Sequence, residues 1–394
     1  MSWLTGWTSR KKHDIRGSDA GAVTDYQVRI TVHYGSNTDD GENVYVNGKC
    51  KADFSDIRFT DEDGVTKLNY WLQEKVDSDY AIFWVKIPDI PAFPNVKSIY
   101  VYYGNPDAES ESDGRLTFMF YDDFDDSLAW EYYESRTEFE GGIVSDARTP
   151  PKAYRLRKTE PYGLTAGDYN EIRRDIDFAG YTVKIVVDEK HYTGGGSTAD
   201  AYLGKILVDT TEYLGFNFYR NMNVWKIEET SEITVSGTHT VRLRMVAQST
   251  STSYNWVIWD TVRIRRYISP EPEHYQWYEE EMQTITVTVT NERLDKEIAL
   301  LGDLVTYTAI IEADGDAVPD EFIARLIGDS FVMKDNIQFV DAVYDSLTHK
   351  LTVTFNVRYG VTRLYWHRWT QISPITIKYP YQTPTGLAWR SADT

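Results

Sequence analysis

The stretch Tyr26-Gln-Val-Arg-Ile-Thr-Val-His-Tyr34 alternates apolar and polar side chains. A period of two is typical of a strand that buries one face in a core and leaves the other in water. Ala81-Ile-Phe-Trp-Val-Lys-Ile-Pro88 and Ser98-Ile-Tyr-Val-Tyr-Tyr103 have the same pattern, and turn residues such as Gly104-Asn-Pro106 come after them. Strands at this spacing, separated by turns, predict a β-sandwich over residues 1–119.

The same alternation continues through residues 120–283. Strand candidates there include Tyr181–Asp188, Thr238–Val246 and Asn255–Ile264. A module of this length built from many strands fits a jelly roll.

The chain then passes through Ser269-Pro-Glu-Pro-Glu273, where two prolines indicate a linker. Tyr275–Glu281 is interpreted as an aromatic and acidic bridge. Residues 284–394 open with Thr284-Ile-Thr-Val-Thr-Val-Thr290 and fit an immunoglobulin-like sandwich, with one short helix expected over Asp320–Ile327. The predicted fold class is all-β, as tandem β-sandwiches.

Composition excludes several classes of function. The net charge is −20, from 61 acidic and 41 basic residues, so phosphate backbones and anionic membranes would repel the chain. No segment reaches the roughly 20 apolar residues of a membrane span, so membrane insertion is not expected. Cys50 is the only cysteine, which excludes an intrachain disulfide and a cysteine-based zinc site.

A set of ordered motifs in the first third of the chain resembles one family. The motifs are Trp3–Arg10, Asp56–Gly64, Tyr70-Trp71, Trp84–Pro88, Ile99–Pro106, Ala108–Ser110 and Phe120–Phe124. Together they resemble the DUF2341 domain, which occurs in prokaryotic cell-surface and filament-like proteins, and the resemblance covers about the first 125 residues.

The resemblance also implies the identity of the next module. A concanavalin-like (laminin-G-like) jelly roll often comes after a DUF2341 domain, with Asp122–Asp125 similar to its first strand and Val262–Pro272 to its last strand and exit linker. The family has no established catalytic residues, so none is carried over. Relatives are usually exported with a leader, whereas here the motif begins two residues after Met1. A native start there would suit a virion protein.

The densest acidic cluster offers a candidate cation site. Asp122, Asp123 and Asp125 lie in one short stretch together with Asp126. Calcium takes several oxygen ligands, and aspartates at a turn can supply them. The EF-hand spacing is missing, so a solvated strand edge is the alternative to a Ca²⁺ site. No other cofactor is predicted.

Tryptophans and tyrosines offer a candidate carbohydrate site. Trp225, Tyr254, Trp256 and Trp259 belong to the jelly-roll segment, and sugars present apolar C–H faces that pack on aromatic rings. Core packing is the alternative for each of them. Trp256 and Trp259 have opposite parity on one strand, so both cannot face inward unless a bulge intervenes.

The third segment contains a similar pair. Trp366 and Trp369 also have opposite parity and are expected to form a contact surface for a neighbouring subunit or a ligand.

Catalytic signatures are weak. Paired carboxylates on jelly rolls can hydrolyse glycosides, but the nearest crowding, Glu279–Glu281, lies beside the linker. The sequence has no Gly-x-Ser-x-Gly element and no His-Glu-x-x-His motif.

The sequence therefore favours a non-enzymatic structural and adhesive protein on a virion surface, such as a tail, fibre or capsid-decorating component that binds host-surface glycans. An exported cell-surface, S-layer or filament adhesin is the alternative, and a glycan-acting hydrolase is third. A homo-oligomer, or association with other virion or appendage proteins, is expected because sandwich edges and exposed aromatic residues favour lateral contacts.

Overall fold

Strands account for nearly all regular structure in this protein. A computed structural model describes residues 3–125, 129–159, 164–193, 202–218, 223–248 and 255–282, and the strands of the third segment. In these ranges the only helix is the short α1 (Gly114–Thr117), and no helix combines the length and apolar character that a membrane span requires. The all-β fold class predicted from period-two hydrophobicity is confirmed.

The first sandwich consists of two sheets. One sheet contains β1 (Ser9–Arg16), β4 (Arg58–Asp61), β7 (Val96–Tyr103), β20 (Glu273–Trp277) and β21 (Glu281–Met282) in the order β20–β1–β7–β4, with β21 also on β1. The other contains β2 (Val23–His33), β3 (Asn43–Tyr45), β5 (Tyr70–Val76) and β6 (Tyr80–Ile90) in the order β3–β2–β6–β5. Val28, Ile30 and Val32 of β2 are buried in the core, as their alternation predicts.

The second sandwich comes directly after the first. Its seven-stranded sheet contains β8 (Phe120–Asp122), β10 (Phe139–Val144), β11 (Ala153–Lys158), β13 (Thr182–Thr193), β16 (Lys226–Glu229), β17 (Ile233–Thr234) and β19 (Asn255–Arg266), with the central order β10–β11–β19–β13–β16. Its five-stranded sheet contains β9 (Glu131–Glu134), β12 (Tyr169–Asp177), β14 (Tyr202–Val208), β15 (Thr211–Asn217) and β18 (Thr238–Ala247), in the order β15–β14–β18–β12–β9. One core of aromatic and aliphatic side chains fills the space between them.

The third segment is described by its strands alone. A four-stranded antiparallel sheet contains β22 (Val287–Leu294), β23 (Leu304–Ala313), β24 (Ile337–Asp345) and β25 (Lys350–Arg358), and β26 (Ile377–Thr383) pairs with β27 (Gly386–Ala392). The immunoglobulin-like assignment stays a prediction. The helix expected over Asp320–Ile327 and the contact residues Trp366 and Trp369 lie outside the described residues.

The segment after the second sandwich returns to the first. β20 and β21 pair antiparallel with β1, so residues 273–282 complete a sheet of the first sandwich. The predicted boundary at 283 assigns these residues to the second module instead. The prolines of Ser269–Glu273 exclude a central strand there. The residues that come after these prolines form backbone hydrogen bonds with the exposed edge of β1. We call residues 273–282 the return strand.

Stacked aromatic rings connect the return strand to β1. The His13 ring lies 3.8 Å from the Trp277 ring and 5.1 Å from the His274 ring, centroid to centroid. His13 Nδ1 donates to the backbone oxygen of Gln276 at 3.0 Å, which leaves its Nε2 to accept from His274 Nδ1 at 2.8 Å. This arrangement requires a neutral His13. Burial lowers the pKa of His13 to about 3 and that of His274 to about 4.

We expect acid to weaken this attachment. Unfolded histidine takes up a proton near pH 6.5, whereas the two folded imidazoles resist protonation until about pH 4 and 3. Their contribution to the free energy of unfolding is therefore complete above pH 6.5 and is lost as the pH falls towards 3. His13→Phe should flatten the pH dependence of chemical unfolding between pH 6.5 and 4.

His239→Phe is the matched control for that experiment. His239 is paired with Asp209 at 2.7 Å, which raises the pKa of this histidine, so its removal should not reduce the loss of stability in acid. An unaltered acid slope in His13→Phe would contradict the assignment of that slope to the stacked pair.

Candidate functional site

Part of the outer face of the seven-stranded sheet is covered by the first sandwich. The Arg263 guanidinium lies 5.0 Å from the Trp71 ring centroid and donates to Asp188 at 3.0 Å. Arg148 donates to Glu74 across the same interface at 2.6 Å. Both Asp188 and Arg263 are 1% exposed, so this ion pair is shielded from water and ties the two sandwiches together.

A carboxyl group with a strongly shifted pKa lies in this covered part. Burial raises the pKa of Asp260 to about 7, although three backbone N–H groups, from Arg148, Thr149 and Thr261, donate to it at 2.7–2.8 Å. Asp260 and the neighbouring Asp188 are both closed off from solvent. The pair therefore lacks the open cleft that a glycoside hydrolase needs for sugar and water.

Alternation along β19 places Trp259 inward and Trp256 outward. Val257 and Trp259 point inward, and Val262 and Ile264 do so beyond a β-bulge that comes after Asp260. Thr261 has φ 45°, in the left-handed region, where the register of β19 against β13 shifts.

Trp259 is 0% exposed and packs in the core, so it cannot contact a glycan as predicted. Trp256 is half-buried on the outer face, where its ring stacks on Tyr192 with centroids 5.7 Å apart and planes 17° apart. Tyr254 lies outside the described residues.

Trp225 lies on the same outer face as Trp256. It immediately precedes β16, which pairs with β13, and the Lys190 ammonium on β13 is 5.7 Å from its ring centroid. Tyr192 lies further along β13 and is paired with Trp256 on β19. We call Trp225, Tyr192 and Trp256 the aromatic row, because they lie across three neighbouring strands.

The aromatic row is bordered by paired charges and exposed aliphatic groups. Lys190 donates to both carboxylate oxygens of Asp146 at 2.9 Å, and Arg157 pairs with Glu140. Val224 is 61% exposed and Ile227 is 41% exposed. Among the described residues, this part of the face therefore combines flat apolar surface with paired polar groups, and it also carries the Arg155 cation on β11.

The three aspartates predicted to bind calcium are held apart by protein partners. Asp122 accepts from the Arg174 guanidinium and, at 3.3 Å, from the indole of Trp130. Asp123 pairs with Arg115 at 3.4 Å, while Asp125 accepts from the backbone of Lys152 at 3.0 Å.

Among the side chains that the structure describes, no group of three or more His, Cys, Asp or Glu residues is arranged to hold a metal ion. Asp122, Asp123 and Asp125 each have a protein partner of their own, and calcium binding by them stays a prediction.

Sequence reasoning missed a polar surface on the opposite sheet. On the outer face of the five-stranded sheet, Tyr133 and Tyr169 stack with centroids 5.9 Å apart. Beside them Glu171 accepts from Arg242 at 2.6 Å and from Arg244 at 2.7 Å. The pattern Glu171-Ile-Arg173 on β12, facing Arg242-Leu-Arg244 on β18, was the signal that could have found it, because alternation places all four charges on one face.

Comparison with known proteins supports part of the sequence prediction. Residues 53–133 match the family described as "Domain of unknown function (DUF2341)". This confirms the resemblance inferred from the motifs, and the matched range runs from the first sandwich into β9 of the second. No curated protein matches the chain.

Several solved structures with β-sandwich modules are similar. One is the CBM22-1–CBM22-2 tandem domain of Xyn10C from Paenibacillus barcinonensis, with 11% identity, coverage of 68% of this chain and 81% of that chain, and a TM-score of 0.30. Another is the K1 cleaved adhesin domain of Lys-gingipain from Porphyromonas gingivalis W83, with 12% identity, coverage of 38% and 98%, and a TM-score of 0.28.

A third is the CBM22-1–GH10 part of endo-1,4-β-D-xylanase 10B from Clostridium thermocellum, complexed with xylohexaose. It has 13% identity, coverage of 39% of this chain and 29% of that chain, and a TM-score of 0.28. Likeness at this level carries no argument about function, which has to come from the surfaces of the chain itself.

Proposed function

We propose that this chain is a non-enzymatic adhesive surface protein that binds uncharged glycans through the aromatic row. The observation that carries the proposal is the placement of Trp225, Tyr192 and Trp256 on the uncovered part of a sheet face. Indole and phenol rings offer flat apolar area for the C–H faces of sugar rings, with polar tips for their hydroxyls.

The paired charges beside the aromatic row favour a neutral ligand. Lys190 and Arg157 each have a carboxylate partner in Asp146 and Glu140. Paired groups of this kind can exchange hydrogen bonds with hydroxyls, whereas an added charge on the ligand would have to separate a pair.

The sheet that carries the aromatic row is stabilised by contacts with the first sandwich. The first sandwich covers another part of the same sheet face, and the return strand joins the end of the second sandwich to β1. A site on sheet strands, supported from behind by a core and from the side by a second module, is held in fixed geometry.

For the biological setting, we propose a virion surface component, such as a tail, fibre or capsid-decorating protein that assembles as an oligomer and attaches to host-surface glycans. An exported cell-surface, S-layer or filament adhesin is the alternative. Genes for tail or capsid proteins beside this one would support the virion setting, and a leader in a longer native reading frame would support the adhesin.

Glycan-array binding of the purified chain tests the ligand class. We expect Trp256→Ala and Trp225→Ala each to weaken binding to uncharged glycans by about tenfold, as loss of an aromatic contact residue does. The matched control is Phe93→Ala, because Phe93 is a 49% exposed aromatic residue outside this sheet. Chelation of calcium should leave binding unchanged, because the three aspartates lie away from the aromatic row and each has a protein partner.

Full binding by both tryptophan variants, or equal loss in Phe93→Ala, would contradict the site. Calorimetry on each variant separates lost binding from lost folding.

A further inference from the structure

The outer face of the five-stranded sheet brings like charges together. Arg173 on β12 and Arg242 on β18 are directly paired across the strands, and Arg244 lies two residues further along β18. Like charges directly opposite each other on a sheet are destabilising. The chain as a whole is acidic, with a net charge of −20, so a cluster of arginines on one sheet face is unexpected and indicates a specific role.

A single buried carboxylate fixes two of these arginines. Glu171 is 0% exposed although it points to the outer face, because Arg242 and Arg244 close over it and Tyr133 is its partner on β9. Charge-assisted hydrogen bonds of 2.6 and 2.7 Å hold both guanidinium groups in place. The arginines are therefore preorganised before any ligand arrives.

An open groove lies beside the preorganised arginines. It has a volume of about 450 Å³ and is lined by Ala129, Glu131, Arg173, Arg174, Asp175, Thr240 and Arg242.

The tyrosine pair continues this surface. The Arg173 guanidinium is 5.3 Å from the Tyr133 ring centroid, and the Arg244 guanidinium is 4.0 Å from the Tyr169 ring centroid. Aromatic faces and guanidinium groups thus lie together on the sheet face that carries the groove.

The weakest pairing in the groove is the one a ligand can replace. Glu131 accepts from Arg173 at 3.3 Å, and its side chain is 75% exposed. An exposed pair at this distance contributes little, because water and salt compete for both partners. A ligand carboxylate between Arg173 and Arg242 would meet two guanidinium groups where Glu131 meets one.

We propose that this face is a second carbohydrate site, selective for glycans that carry carboxylates, such as polymers of uronic acids. The carboxylate binds between Arg173 and Arg242 in place of Glu131, and the sugar ring packs on Tyr133. Arginine suits this role because its planar fork matches the geometry of a carboxylate. The site lies on the sheet opposite the aromatic row and does not depend on it.

Binding of the full chain to polygalacturonate, alginate and hyaluronate, measured against methyl-esterified polygalacturonate, tests the proposal. We expect at least one acidic polymer to bind, the neutral ester to bind about tenfold more weakly, and added salt to reduce the difference. Arg173→Ala should reduce binding to the acidic polymer by about tenfold. Glu131→Gln should increase it, because the competing carboxylate is gone.

Arg16→Ala is the matched control. Arg16 pairs with Glu273 at 3.5 Å and stacks 3.9 Å from the Tyr275 ring centroid, on the first sandwich. Failure of all three acidic polymers to bind, equal binding of acid and ester, or unchanged binding in Arg173→Ala would overturn the proposal. Trp256→Ala should keep its affinity for acidic polymers, so the two carbohydrate sites succeed or fail separately.

Discussion

Trp259→Ala should lower the free energy of unfolding by about 3–5 kcal/mol, the range for truncating a large buried aromatic side chain. The Trp259 ring is closed off from solvent and meets Phe216 edge-on, with centroids 5.8 Å apart. Removing the indole leaves a cavity between the two sheets that neighbouring strands cannot fill. Denaturant unfolding followed by circular dichroism, together with calorimetry, should show this loss of stability.

Trp256→Ala is the control for that measurement. Its ring lies half-buried on the outer face, where water can replace the lost contacts, so we expect a loss of about 1 kcal/mol. Equal destabilisation by the two substitutions would contradict the inward assignment of Trp259 and the outward assignment of Trp256.

Arg263→Ala should also destabilise the chain by about 3–5 kcal/mol. The substitution leaves the Asp188 carboxylate buried at the interface without the guanidinium that donates to it at 3.0 Å. It also removes the group that packs on the Trp71 ring, so the contact between the two sandwiches weakens. We expect the two modules, which should unfold together in the wild type, to separate into distinct calorimetric transitions.

A double-mutant cycle tests the cause. Arg263→Ala with Asp188→Asn should be more stable than Arg263→Ala alone, because the buried Asp188 carboxylate would otherwise keep only its longer ion pair with Arg148, at 3.5 Å. Lys75→Ala, which breaks an exposed pair with Asp77, should cost no more than about 1 kcal/mol. A cost for Arg263→Ala as small as that of Lys75→Ala would show that the interface does not depend on this ion pair.

The fold class could be predicted from the sequence because alternation is a local property. The apolar residues of Tyr26–Tyr34 could be assigned to one face without knowledge of their partners, and Val28, Ile30 and Val32 are buried. The parity argument for Trp256 and Trp259 worked for the same reason. It left open which of the two faces inward, because that depends on packing between the two sheets.

The return strand could not be predicted from local pattern. Its partner β1 lies more than 250 residues earlier in the chain, and the pairing of His13 with Trp277 is set by the docking of the two sandwiches. The prolines before it were correctly interpreted as excluding a central strand, but the edge strand beyond them depended on a distant partner.

The candidate sites show a related limit. Asp122, Asp123 and Asp125 are close in sequence, yet each carboxylate has its own protein partner, so proximity along the chain did not produce convergence. Glu171 and its arginines come from two strands separated by about 70 residues, and only strand pairing brings them together. The alternating charges are visible within each strand, but the burial of Glu171 by neighbours on two other strands is not.

Oxidative footprinting with and without a bound neutral glycan tests the central claim most directly, because it needs no substitution. The claim is that the uncovered sheet face with the aromatic row contacts the sugar. We predict that saturating glycan slows oxidation of Trp225 and Trp256 several-fold, while exposed Phe93 reacts at its original rate. Unchanged oxidation of both tryptophans, with protection elsewhere on the chain, would contradict the account.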